Sequence, residues 1–312
     1  MNAPAVLDRK TYLGGSDAAA FLGVSPWQSP FMLYQKKIGE LIDQPSPDKE
    51  KLFKRGKRWE PIVIEMLIDE LKEQGHDVEV IARNQRYQDP EFPFIAAELD
   101  MELLVDGEEM NGEAKTVNPF ALKEWGDEET DAFPIYYQAQ TMYGLMVKPR
   151  QRCVVAALTG FDDRPKIYWI DRDEEIIAGI RAKAIAFWDC IQNRTPPAPV
   201  TIEDIKFLYP KDAGLIMQAD QELLSLCQQL KDAKATAKQT EGLVEALTTR
   251  LKLRMGFNAI LMFEGKPAAT WNTNKSSTVT NWEAIATELK ASAEIIKKYT
   301  SEKIGARPLL IK

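Results

Sequence analysis

The spacing of apolar and polar residues predicts most elements of this chain. Through Asp48–Gln74 the run DKEKLFKRGKRWEPIVIEMLIDELKEQ reads as a long helical region, with an apolar face in its second half at Ile62, Met66, Leu67 and Leu71. Pro61 suits a first helical turn better than an interior, so Gly56–Pro61 is expected to mark a bend or a fresh start. Val78–Arg83 and the neighbourhood of Tyr87 read as strands. Phe94–Thr116 (FIAAELDMELLVDGEEMNGEAKT) reads as two half-buried extended segments joined by a turn at Asp106 and Gly107. Asn118-Pro119 begins a short helix, and Ile135–Val147 (IYYQAQTMYGLMV) is a longer one. Arg152–Thr159 and Lys166–Asp171 form a strand pair, and Glu174–Gln192 is an amphipathic helix. Nearer the start, Arg9–Gly23 reads as a Gly-Gly turn, Ser16 as N-cap and a short helix on Ala18–Leu22. Ser29-Pro30 opens a second helix that stops at Gly39, and Pro45–Pro47 is a loop.

The order helix, strands, helix, strands, helix describes an α/β domain: a mixed sheet with helices on its faces. At 312 residues the chain accommodates one large domain plus an accessory region. TPPAPV at Thr195–Val200 is a stiff Pro-rich segment, which divides the chain into a domain over 1–194, a linker over 195–210 and a C-terminal extension over 211–312. In the extension, Lys211–Arg254 is one long helical stretch with leucines at Leu223, Leu226, Leu230, Leu243, Leu247 and Leu251. Their heptad-like spacing is interrupted by DAKATAKQT, which suggests helix packing or partner contact more than a long regular coiled coil. Asn258–Thr273 reads as a hairpin turning at Gly265-Lys266-Pro267, and a lysine-rich helix and tail follow over Trp282–Lys312.

Composition narrows the chemistry. No apolar run approaches the ~20 residues of a membrane span, and MNAPAVLDRK lacks a signal-peptide core. A cytoplasmic protein is expected. Cys153, Cys190 and Cys227 are isolated, and His76 is the single histidine, read as a surface residue. The sequence therefore disfavours Ser-His-Asp, Cys-His and His-rich metal sites and points acid/base and metal chemistry to Asp, Glu and Lys. The net charge is −7, split into −11 before Lys211 and +4 from it onward. That argues against an overall basic surface but leaves nucleic acid open, because affinity follows local phosphate contacts.

Strands disfavour Asp and Glu, so the carboxylates inside Phe94–Thr116 need a reason. Side-chain alternation puts Glu113 and Lys115 on one face and Ala114 on the other, and a hairpin places Asp100 opposite that pair. Two carboxylates and an amine sharing a few ångströms make a place for a divalent cation and a water. Oxygen ligands suit Mg²⁺, with Mn²⁺ as the alternative, and not zinc. Glu60 is either a first-turn carboxylate favoured by the helix dipole or a third acidic group pointing inward. Ser16 is either a cap alone or, with the helix N-terminus and Arg9, part of an anion site. Gln138 and Gln140 sit among aromatic residues, and each buried amide must find partners.

Asp100 followed by Glu113-Ala114-Lys115 resembles the PD-(D/E)xK nuclease core. The order GGSDAAAFLGVSPW, RGKRWEP with its G-x-x-x-E, the D…EAK hairpin and YYQAQTMYGLMV is similar to the YqaJ-type viral recombinase family, related to lambda exonuclease. The resemblance covers roughly residues 9–190, and the long helix and hairpin beyond are similar to an extension found in part of that family. It implies a restriction-endonuclease-like core, with Glu60, Asp100 and Glu113 as metal-binding carboxylates and the Ala114 carbonyl as a further ligand to one or two ions. Lys115 would position or activate the attacking water, Gln138 would support the site, and Arg9 and Ser16 would hold a 5′-terminal phosphate. The implied activity is a Mg²⁺-dependent 5′→3′ exonuclease on linear double-stranded DNA ends, exposing a 3′ strand for recombination. The implied partners are other copies in a ring and a single-strand annealing protein. Two residues depart from the pattern: Leu99 stands where the motif has Pro, and Glu98 where a small hydroxyl would help bind phosphate. Two other readings differ in what they require. A Cas4-like iron–sulfur exonuclease needs four cysteine ligands, one more than the chain has; a non-catalytic DNA-binding or annealing-partner module would lack metal-dependent cleavage.

Overall fold

A computed structural model describes residues 8–42, 46–160, 162–276 and 278–300. The chain forms two compact units, Met1–Tyr209 and Pro210–Lys312. The first is built on a five-stranded sheet in sequential order: β1 (Val78–Gln88), β2 (Ala96–Val105), β3 (Glu108–Val117), β4 (Arg152–Thr159) and β5 (Lys166–Asp171). All neighbours are antiparallel except β3 and β4. That parallel pair needs a crossover, supplied by a 3₁₀ turn at Pro119–Glu124 and a helix over Ile135–Val147. The β2–β3 hairpin turns on Asp106 (φ 50°) and Gly107 (φ 83°), the two left-handed residues that a type I′ turn requires. The two strands expected before the hairpin are one, β1, which carries a register shift between Val80 and Ala82.

Helices cover both faces. On one lie α1 (Gly15–Phe21), α2 (Pro30–Ile38) and, later in the chain, the Ile135–Val147 and Glu174–Gln192 helices, around a core that includes Leu13, Tyr143, Val155 and Tyr168. On the other lies α3 (Pro47–Glu73), whose Val63, Ile64, Leu67 and Leu71 pack on Met101, Leu103, Val154 and Ile167. The expected break at Gly56–Pro61 is absent: α3 runs through Pro61 as one helix. Residues 47–62 contribute nothing to the core, so the acceptor that Pro61 leaves unpaired stays near solvent. With α3 placed, the crossover helix is α4 and the Glu174–Gln192 helix is α5.

Residues 195–210, read as a linker, belong in large part to the first unit. They contain α6 (Ile202–Leu208), whose Thr201–Asp204 capping box is anchored to α2. Asp204 is fully buried and accepts from Ser29 Oγ at 2.6 Å and from the Val200 and Thr201 amides at 2.9 Å. Phe207 meets Phe31 edge-on, with ring centroids 6.0 Å apart.

The second unit consists of α7 (Gln221–Met255), a hairpin of β6 (Ile260–Phe263) and β7 (Lys266–Thr270), and the short α8 (Trp282–Glu288) and α9 (Ala293–Lys298). Its hairpin turns on Glu264 and Gly265, both left-handed, so Lys266 and Pro267 fall in β7 instead of the turn. Residues 301–312 of the expected tail, the Pro45 end of the predicted loop and the first seven residues lie outside the described residues. Among the described residues, no helix is long and apolar enough to cross a membrane.

Candidate active site

The hairpin does not stay zipped to its end. Its last pair is Met101–Gly112; from there β3 continues beside β4 to Val117–Thr159, while β2 continues beside β1. Asp100 and Glu113 face each other where the strands fork. Asp100 Oδ2 accepts the Ala114 amide at 2.9 Å, in place of a ladder bond. Lys115 donates to Glu113 Oε1 and, at 3.2 Å, to Gln140 Oε1; Gln140 Nε2 in turn donates to the same Glu113 oxygen at 2.5 Å. Tyr137 closes one side, its ring centroid 5.1 Å from Lys115 Nζ. Glu113 is only 5% exposed.

This arrangement holds too much negative charge for its one lysine. Burial, and then repulsion from Asp100, push the Glu113 carboxyl up from 4.5 to about 7 against the pull of Lys115. Burial likewise raises Asp100 despite Lys115 and the Ala114 amide. Lys115 itself stays firmly cationic, because Glu113 and Asp100 outweigh the cost of its burial. Glu60 approaches from α3 on the opposite face of the sheet. Burial raises its carboxyl and Asp100 raises it further, while Lys57 and Lys115 oppose.

A second polar cluster surrounds the start of α1. Arg9 donates to Ser16 Oγ at 2.8 Å, Asp17 Oδ1 at 3.1 Å and the Tyr12 hydroxyl at 3.2 Å. Lys37, buried on α2, reaches Asp17 Oδ2 at 2.8 Å as well as the Arg9 and Tyr12 carbonyls. The Arg86 guanidinium lies 3.8 Å from the Tyr12 ring centroid and 3.5 Å from the exposed Glu98. The N-cap of α1 is Gly14, whose amide donates to Asp17 Oδ2 at 2.9 Å, so Ser16 is not the cap but a first-turn residue. The two clusters share a wall: a Cβ on Gly15 would lie 3.5 Å from Gln140 Cγ.

A profile of the YqaJ-like viral recombinase domain matches residues 6–162, from the segment before α1 to just past β4. The chain belongs to this family. It is 31% identical over 186 residues to the uncharacterized protein YqaJ of Bacillus subtilis (strain 168), covering 59% of this chain and 54% of that one. The chain thus spans about half the length of this curated relative. Among solved structures it overlaps an alkaline exonuclease, LHK-Exo, from Laribacter hongkongensis at 18% identity, over 60% of this chain and 91% of the other, with a TM-score of 0.45. A phage related exonuclease from Haemophilus somnus 129PT overlaps at 12% identity, over 58% and 94%, with a TM-score of 0.39.

Of the residues singled out in this family member's sequence, Asp100, Glu113 and Lys115 meet at the fork, Glu60 lies within electrostatic reach, and Arg9 and Ser16 bond each other in the neighbouring cluster. Ala114 contributes its amide to Asp100 and packs toward the α3 core. Gln138 is the exception. Its amide is spent on the Asp131 and Phe133 carbonyls at 2.8 and 2.7 Å, and Gln140 is the glutamine at the carboxylates. Sequence reasoning also missed Asp17, Lys37 and Arg86. Asp17 had a local signal, three residues after Gly14 in a Gly-Gly turn, but nothing local marks Lys37 or Arg86. Among the described residues no three His, Cys, Asp or Glu side chains gather closely enough to form a finished metal site. The donors nonetheless fit a hard divalent cation: two facing carboxylates, driven toward protonation by burial and by each other, with a third acid behind them.

Proposed function

We propose that the chain is a PD-(D/E)xK-type deoxyribonuclease, a metal-dependent 5′→3′ exonuclease acting on linear duplex ends to expose 3′ strands for recombination. The observation that carries this reading is the fork itself, where Asp100 and Glu113 lack sufficient counter-charge and Lys115 is held beside them by Gln140. Asp100 and Glu113, with Glu60, would hold Mg²⁺ or Mn²⁺, which when bound supplies charge neutralisation for a phosphodiester and a more acidic water. Membership of a viral recombinase family supports DNA as the substrate.

Each side chain has a distinct task in that scheme. Lys115, a fixed cation, hydrogen-bonds the attacking water or the phosphoryl oxygens as negative charge develops on them. Gln140 accepts from Lys115 and donates to Glu113, which fixes both reacting groups with one amide. Attack by water on phosphorus breaks the bond to the 3′ oxygen, which leaves with a proton, and a 5′-nucleotide is released. Arg9 and Ser16 bind the 5′-terminal phosphate. The Arg9 side chain is 51% exposed, so it can turn guanidinium donors toward an end while Lys37 keeps Asp17 neutralised. Because Gly15 abuts Gln140, a phosphate bound there lies beside the hydrolytic groups.

The test is digestion of 5′-phosphorylated and 5′-hydroxyl linear duplexes with Mg²⁺, Mn²⁺ or EDTA. Metal-dependent release of nucleotides from 5′ ends, faster with the phosphate, is expected; EDTA-resistant cleavage or none would overturn the reading. Ring-like self-association would let an acidic protein enclose DNA, and the C-terminal extension would engage a single-strand annealing protein. Light scattering and deletion from Pro210 onward, which leaves the first unit whole, test these two roles separately.

A further inference from the structure

The second unit contains a surface that nothing in its own described residues covers. α7 is 35 residues long, about 50 Å, and Met255 at its end is its one buried residue. Because the helix is unbroken, its two leucine-bearing ends have a fixed phase. Leu223, Leu226 and Leu230 at one end and Val244, Leu247 and Leu251 at the other fall on a single repeat of three and four residues, continued through Ala233, Ala237 and Thr240. The small middle residues therefore continue the seam. Leu226, Val244 and Leu247 on it are 59%, 58% and 51% exposed, far more than a helix packed in its own domain would show. The column opposite the seam carries Gln228, Ala235, Gly242 and Thr249; Leu224, Leu243 and Leu253 lie off the seam as isolated apolar positions without its repeat, and Trp271 of the hairpin rests on Lys252, also off the seam. A 3.5-residue apolar repeat of this length is the pattern of a left-handed two-stranded coiled coil.

We propose that α7 pairs in antiparallel orientation with α7 of a second copy of this chain. Charge decides both partner and direction. Lys234 and Glu241 flank the seam one heptad apart and form no ion pair within the chain among the described residues. In the antiparallel register that places Leu230 on the partner's Leu247 and Ala237 on the partner's Thr240, Lys234 faces the partner's Glu241. Two-fold symmetry forms the same pair again. A parallel, in-register pair would set Lys234 against the partner's Gln229 and Glu241 against the partner's Thr236, with no charge matched. The small residues meet at the centre, where they let the helices approach closely; Leu226 and Leu230 meet the partner's Leu251 and Leu247 on either side, and Leu223 at the end lies against the stem of the partner's Arg254.

The exposed Cys227 makes the register directly measurable. In the antiparallel pair it faces the partner's Thr248; in the parallel one, the partner's Glu222. A short bis-maleimide reagent should therefore join Thr248→Cys chains through residues 227 and 248, identified by peptide mass spectrometry, and should not join Glu222→Cys chains. Linking of Glu222→Cys alone, or of neither variant, overturns the proposal. By sedimentation of the full chain, Lys234→Glu should weaken self-association at least about tenfold, since like charges would then face each other, and adding Glu241→Lys should restore it. Neither substitution touches a packed residue, so loss of folding does not confuse the outcome. A chain that is monomeric throughout, or that pairs α7 only with a different protein, overturns it too. Success or failure here is independent of the nuclease reading, which rests on the first unit alone.

Discussion

If Asp100 and Glu113 are held together against their mutual repulsion, removing one charge should stabilise the metal-free protein while ending its activity. Asp100→Asn tests this cleanly, because an amide oxygen can still accept from Ala114. Moving the Glu113 carboxyl from 4.5 to about 7 corresponds to ~3 kcal/mol against the ionised form. Burial is the larger cause and Asp100 the second, so roughly 1 kcal/mol is assigned to Asp100. The sign follows from linkage. A carboxyl raised in the folded state costs nothing below its unfolded value near 4.5, and stability falls as pH rises from there to about 7. Asp100→Asn reduces that fall, so its advantage should be near zero at about pH 4.5 and reach roughly 1 kcal/mol above about pH 7. Thermal unfolding in EDTA should then show a midpoint about 2–4 °C above wild type at pH 8 and little difference at pH 5. Adding Mg²⁺ should raise the wild-type midpoint by mass action and leave the variant unmoved. A variant no more stable than wild type at pH 8, or equally stabilised at both pH values, would refute the electrostatic account.

Lys115→Ala should lower the hydrolytic rate by about 10²–10³-fold with an unchanged circular dichroism spectrum; near-wild-type turnover would remove Lys115 from the mechanism. Gln140→Ala should cost about tenfold or more in rate, whereas Gln138→Ala should leave the rate near wild type and cost ~1 kcal/mol of stability through two lost carbonyl contacts. The reverse ranking would restore Gln138 to the site. Arg9→Ala should erase the preference for 5′-phosphorylated over 5′-hydroxyl ends, by roughly ten- to a hundredfold on the phosphorylated substrate, with Lys37 still pairing Asp17 and holding the fold. Asp204→Ala should destabilise the first unit by roughly 1–3 kcal/mol, since Ser29 and two amides lose their buried acceptor; an unchanged denaturation midpoint would mean that α6 is not anchored there.

What could be read from the sequence was what periodicity and local caps control. α4, β4, β5 and α5 have the bounds that spacing predicts, and Asp106-Gly107 forms the turn that its residues favour. Side-chain alternation was enough to bring Glu113 and Lys115 together. The glutamines were not separable this way. Gln138 and Gln140 lie roughly 200° apart around α4, and the helix is apolar on most sides, so no stripe tells which of them turns to the sheet. The docking of α6 was hidden for a related reason. Its anchor, Ser29, lies 175 residues away, and stiffness was the stronger local signal in a Pro-rich segment.

The fork shows why the site could be only partly seen in a two-strand picture. Directly paired across a hairpin, Asp100 and Glu113 would place like charges about 5 Å apart, an arrangement that destabilises a sheet. The ladder instead ends one residue short, and Asp100 takes the Ala114 amide as a local substitute for strand pairing. Opening the sheet there has a second effect: Gln140 from α4 bonds Glu113 on one face, and Glu60 from α3 on the other comes within electrostatic reach of Asp100. A continuous sheet would have kept them apart. The unfavourable pairing of two carboxylates and the access of two helices to them are thus one structural event, and a bound cation is the natural means of relieving its cost.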